Sequence, residues 1–127
     1  GHAAIAEYVR LRCEAAAVAD ADPCVTRAIH HMETHLSERD CLEGARRAAC
    51  CSANTLLYKF RRATGLTPAR YLWRLRGERG AAMLAETGLS VAEVAERCGF
   101  ANPFHFSRCV RRLFALSPRE LRRRAWR

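Results

Sequence analysis

From Asp40 to Leu72 the chain carries a pattern that recurs without a gap fifty residues later, from Ser90 to Arg122. In that register Glu43 falls on Glu93, Ala45 on Ala95, Arg47 on Arg97, and the Arg61-Arg62 pair on Arg111-Arg112. Leu66 and Pro68 fall on Leu116 and Pro118. Self-similarity at one fixed offset means one supersecondary unit used twice. A chain of 127 residues holds one small domain, or two very small ones sharing a helix, and each repeat alone lies near the lower limit for independent folding.

Helix start and stop signals give the unit its outline. Asp22-Pro23 is a cap followed by proline at the first helical position, and Val25, Ile29, Met32 and Leu36 then form an apolar stripe at helical spacing. Asp40 with Glu43, and Ser90 with Glu93, are matched capping boxes. Ser52 and Asn102 cap the next helix of each copy, which ends near Gly65 or Ala115. Thr67-Pro68 and Ser117-Pro118 open a third. No stretch alternates with a period of two, so the expected fold is all-α with about seven helices. The boundaries that follow are an entry segment over 1–22, a first unit over 23–66, a linker helix over 67–87 and a second unit over 88–127.

A short helix, a tight turn and a second, basic helix make a helix-turn-helix. Ala45 and Ala49, then Ala95 and Gly99, are the small residues expected where the two helices cross. The linker helix from Pro68 to about Thr87 would be about 28 Å long at ~1.5 Å per residue. That approaches the ~34 Å repeat of the major groove along one side of DNA. Gly77 and Gly80 inside it mark either a close helix contact or a joint that bends.

The formal charge is +9, and residues 1–23 contribute a net −2 to it, leaving +11 on the remainder. A strongly basic region points to a polyanionic partner, usually nucleic acid. In the second helix of the first unit, Leu56 and Phe60 face inward with Ala53 and Ala63 beside them, which turns Asn54, Tyr58, Arg61 and Arg62 outward. In the second unit Phe106, Val110 and Leu113 face inward. Phe104, Arg108, Arg111 and Arg112 then point outward, flanked by His105 and Ser107. Arg108 is the candidate for a bidentate guanine contact. The two arginine pairs, with Ser52 and Asn102 at the helix starts and Arg123 in the last helix, are the candidate phosphate contacts. Arg119, Arg122, Arg124 and Arg127 add to that basic final helix.

Other chemistry is less marked. Seven cysteines include no CxxC pair, and in a reducing cytoplasm they read as small buried hydrophobes; Cys50-Cys51 is the pair with redox or soft-metal potential. His31 and His35 share a helix face at metal-compatible spacing and read as exposed polar filler, so no metal or cofactor is assigned. No nucleophile-base motif is present and no catalysis is expected. No apolar run is long enough for a membrane span and no signal peptide is visible, which points to the cytoplasm. The chain opens Gly-His without methionine, which reads as a tag scar on a fragment. Residues 3–19 have Ile5, Val9, Cys13 and Ala16 at helical spacing, as in a linker helix or a remnant of an upstream domain.

These residues together resemble the AraC/XylS family of bacterial transcription regulators, over about residues 24–127. The most specific part is Arg76 to Arg122, where AETGLSV, AEVAERCGF, FSR and LSPRELR follow in the family's order. The first repeat fits through Leu56, Phe60, Gly65, Leu66 and Pro68. The resemblance implies two helix-turn-helix units joined by a long helix, each placing its second helix in the major groove. It also implies base contacts from Asn54, Leu57 and Tyr58, and from Pro103, Phe104, His105, Ser107 and Arg108. Double-stranded DNA and RNA polymerase would be the partners, with a sensor or dimerisation domain upstream. Departures from the family pattern are Val110 in place of phenylalanine, Ala115 in place of glycine, Gly77 and Gly80 in place of leucine and alanine, and Pro103 and Phe104 in place of the more usual polar contacts. On the residues alone a helical RNA-binding or adaptor module, or a thiol-based metal or redox sensor, stays open as an alternative.

Overall fold

The computed structural model describes residues 22–126. Seven helices and no strand occur among them: α1 Pro23–Thr34, α2 Cys41–Ala49, α3 Ala53–Thr64, α4 Pro68–Glu86, α5 Val91–Arg97, α6 Pro103–Phe114 and α7 Pro118–Ala125. The helix expected over residues 3–19 lies outside the described residues.

Most helix starts follow from the local sequence. Asp22 accepts from the Cys24 N–H at 2.8 Å, Ser52 from Thr55, Thr67 from Arg70, Asn102 from His105 and Ser117 from Glu120. Each satisfies one of the orphan amides of a first turn. Ser90 and Glu93 form the full reciprocal box. The matching box in the first repeat is not formed. Asp40 makes no side-chain cap, because its backbone is not in the extended conformation a cap needs, and Glu43 pairs with Arg46 and Arg47 instead. The helix-turn-helix turns also differ. Cys50 is left-handed at φ 58° directly after α2, whereas Gly99 takes that role at φ 87° two residues after α5 ends.

Two hydrophobic cores share α4. The first gathers the α1 stripe of Val25, Ile29, Met32 and Leu36 with Ala45, Ala49, Leu56, Phe60, Tyr71 and Leu72. Phe60 and Tyr71 meet edge to face at 5.2 Å. The second gathers Ala81, Leu84, Val94, Ala95, Cys98, Phe106, Val110 and Leu121. α4 thus serves as the last helix of one unit and the first of the next. Gly77 and Gly80 make a close contact with α6: a Cβ at Gly80 would overlap the Phe106 ring, and one at Gly77 would overlap Cys109 Sγ and lie 2.7 Å from Leu113 Cδ1.

Two expectations about small residues need correction. Ala53 is exposed, since the turn ahead of α3 carries it past the core. Gly99 sits at the junction of the units, where a Cβ would come within 2.9 Å of both Arg76 Nε and the Leu36 carbonyl oxygen. The cysteines divide. Cys41, Cys98 and Cys109 are buried as expected, Cys24 and Cys51 are half-buried, and Cys50 is exposed.

Candidate nucleic-acid interface

α3 and α6 are the second helices of the two helix-turn-helix motifs, and neither carries an acidic residue. On α3 the inward face is Leu56 and Phe60, both buried, with Ala63 half-buried. Asn54, Leu57, Tyr58, Arg61 and Arg62 therefore emerge on the outer side and line a shallow concavity of 580 Å³. Tyr58 is 64% exposed, and its hydroxyl accepts from Arg62 Nη1 at 3.4 Å. Leu57 and Tyr58 thus add exposed apolar surface to the face that carries Arg61 and Arg62. Lys59, the remaining cation of α3, turns away to Asp22 Oδ2 at 3.2 Å and Cys24 Sγ at 3.5 Å. The Cys24 N–H, with Lys59 adding to it, holds the Asp22 carboxyl below its ordinary range.

On α6 the buried face is Phe106, Cys109 and Val110, with Leu113 half-buried. Phe104 projects at 79% exposure beside exposed His105, Arg108, Arg111 and Arg112. Ser107 is half-buried and Pro103 exposed. Asn102 uses its Oδ1 on the His105 N–H at 3.0 Å, which leaves its amide NH2 without a role in the cap, at the positive end of α6. Ser52 is different: its hydroxyl accepts from the Thr55 N–H and donates to Thr55 Oγ1 at 2.8 Å, so the hydroxyl hydrogen is already engaged.

The last helix sorts its arginines. Arg122 points inward, donating from Nε to the Leu84 carbonyl at 3.0 Å and from Nη2 to the Thr87 and Leu89 carbonyls. It is a fold residue, which corrects its place in the basic DNA-facing set. Arg123 and Arg124 are exposed. A cleft of 510 Å³ between the units, unforeseen in the sequence, joins Arg39 and Leu42 of the first unit, Trp73 and Arg76 of α4, and Phe100, His105 and Arg108 of the second. Arg39 and Leu42 had no signal in the sequence beyond being polar and apolar neighbours of a helix start. Only the fold brings them beside α6.

A helix-turn-helix domain family model matches residues 46–124. Among curated proteins, the HTH-type transcriptional activator RhaS of Salmonella arizonae is 39% identical over 103 residues, 81% of this chain and 37% of that protein. The chain thus spans little more than a third of that relative's length. Among solved structures, a transcriptional regulator with an AraC-type DNA-binding domain from Chromobacterium violaceum superposes with a TM-score of 0.76 at 29% identity, covering 81% of this chain and 92% of that one. The DNA-binding domain of the global transcriptional factor AdpA, solved in complex with a target DNA, gives a TM-score of 0.74 at 31% identity, covering 82% and 93%.

Proposed function

The chain belongs to the AraC/XylS-type family of helix-turn-helix transcription regulators, and on that premise we propose that α3 and α6 read adjacent major-groove segments of one double-stranded DNA site. The observation that carries this reading is the pair of exposed, acid-free helix faces packed on one continuous α4. Nineteen residues of α4 span about 28 Å, close to the ~34 Å between successive groove faces. Because the two units differ in their outward residues, the site need not be palindromic.

Asn54, Leu57 and Tyr58 would supply base contacts from α3, and Phe104, His105, Ser107 and Arg108 from α6. Exposed Tyr58 and Phe104 suit apolar contact with thymine methyl groups, and Arg108 suits a bidentate guanine. Arg61, Arg62, Arg111, Arg112, Arg123 and the amide of Asn102 would hold phosphates. Ser52 would do so only by giving up its bond to Thr55. RNA polymerase and an upstream sensor or dimerisation domain belong to the same proposal, supported by the likeness to longer regulators. The comparisons favour neither the RNA-binding or adaptor reading nor the thiol sensor.

Selection from a random duplex library, followed by salt titration of the winning site, tests the reading. The expected outcome is an asymmetric motif with two clusters about one helical turn apart. Arg108→Ala should cost about 1–3 kcal/mol on that site and relax one base position, while Arg111→Ala should weaken all sequences alike and flatten the salt dependence. An Arg108→Ala protein with its base preference intact would rule out the assigned face of α6.

A further inference from the structure

His31 and His35 lie one turn apart on α1 and its C-cap, with their rings stacked at 4.1 Å and 9°. One ring nitrogen from each and one carboxylate oxygen of Glu38 all lie within 4.8 Å of one another. The histidine spacing is a property of the helix. Glu38 joins only because the chain turns back after α1. The Glu38 N–H donates to the His35 carbonyl at 3.1 Å, and the Glu38 carbonyl accepts from Arg76 Nη2 at 2.9 Å. These bonds to α1 and α4 fix the Glu38 backbone, so its side chain starts from the corner beside the two rings.

The ring of His35 is held in the tautomer a metal needs. Its Nδ1 lies 2.8 Å from Thr34 Oγ1 and 3.2 Å from the His31 carbonyl oxygen. The carbonyl can only accept, and Thr34 gives its own hydroxyl hydrogen to the His30 carbonyl at 2.9 Å. The His31 carbonyl contact is made only by the tautomer that carries its proton on Nδ1, which leaves Nε2 with the lone pair. Metal-bound histidines are oriented by such a bond from their other ring nitrogen. His31 is seated against α2, where a Cβ on Gly44 would overlap its Nε2. It is half-buried, not the exposed filler that spacing alone suggested.

We propose that His31, His35 and Glu38 form a binding site for a divalent transition-metal ion of the zinc class, fastening the corner between α1 and α2. Two imidazoles and a carboxylate are a zinc ligand set that leaves a fourth position for water. With bonds of ~2.0–2.1 Å, tetrahedral ligand atoms sit about 3.4 Å apart. Closing from 4.8 Å requires the two imidazoles to turn out of their parallel stack, because each lone pair lies in its own ring plane, and the exposed Glu38 side chain to follow. The nitrogen and oxygen set selects against soft ions that prefer thiolates. Cys41, at the start of α2, is buried with its thiol toward the Met32 carbonyl.

The test is titration with zinc by calorimetry and with cobalt(II) by absorption. Expected are one ion per chain and a cobalt adduct without a thiolate charge-transfer band. Zinc affinity should fall at least roughly tenfold in His35→Ala and Glu38→Gln and stay unchanged in His2→Ala. Zinc should raise the thermal midpoint of the parent protein and leave that of the two ligand variants in place. Glu38→Gln keeps both backbone bonds that shape the corner, so a loss there reports the ligand and not the fold. Absence of one-to-one binding, binding that survives both variants, or a thiolate band placing the ion on the cysteines would each overturn the site.

Discussion

Arg122 and Arg123 stand side by side in the sequence and do unrelated work. Arg122 binds three carbonyls at the start of the second unit and lies 5.1 Å over the Trp126 ring, whose Nε1 donates to the Ala85 carbonyl. Arg76 does the same for the first unit through the Leu36 and Glu38 carbonyls, and Arg27 covers the end of α2 through Ala48 and Ala49. Loop carbonyls left without partners by the helix ends are satisfied by a guanidinium that always carries its charge. Arg122→Ala should therefore cost about 1.5–3 kcal/mol of stability and leave the preferred DNA sequence unaltered. Arg123→Ala should leave stability within about 0.5 kcal/mol and lower the salt slope of DNA binding by about 0.9. Denaturant melts and salt titrations of both variants check this. An arginine's inward or outward role was not legible from its neighbours, because the bonds it makes reach 33–38 residues away.

At the scale of elements, α4 and α6 depend on one another. Glycine inside a helix is ordinarily unfavourable by roughly 0.8–1 kcal/mol against alanine, so Gly80→Ala would stabilise an isolated helix. Here the added methyl would run into Phe106, which is fully buried and has nowhere to retreat. Overpacking of that kind costs typically 1–3 kcal/mol, which outweighs the propensity gain. Gly80→Ala should be destabilising by up to about 2 kcal/mol, seen as a lower denaturation midpoint with an unchanged slope. α6 would shift with it, so DNA affinity should fall as well. Helix boundaries were legible to within a residue or two, because caps such as Ser90, Asn102 and Ser117 act on amides two or three residues away. The exception is Asp40, whose cap depended on a backbone conformation set by the corner after α1.

Across the whole molecule, two small cores hang on one helix, and the second unit's turn rests on the first unit's corner through Gly99, Arg76 and Leu36. Buried thiols in that arrangement give stability a defined alkaline limit. Burial pushes Cys98 up to about 11 and Cys109 up to about 12, from an ordinary value of 9.0. The unfolded chain loses these protons first, so their contribution is whole below pH 9.0 and is lost as the pH climbs through the two folded values. Unfolding free energy measured against pH should decline above 9, and a Cys98→Ala, Cys109→Ala protein should show a shallower decline. Among the described residues no helix is long and apolar enough to cross a membrane.

The repeat, the helix count, the buried stripe of α1 and the outward faces of α3 and α6 were determined by sequence alone, because capping and helical periodicity are local. Which of Gly77 and Gly80's two possible roles applied was decided by α6 packing across them. The inward course of Arg122, the cleft between the units and the meeting of Glu38 with His31 and His35 were likewise decided only in three dimensions. Each of these joins residues brought together by the way the chain turns between helices. That turning is set by which apolar faces pack best against one another, a property of the assembled cores that no short stretch of sequence carries.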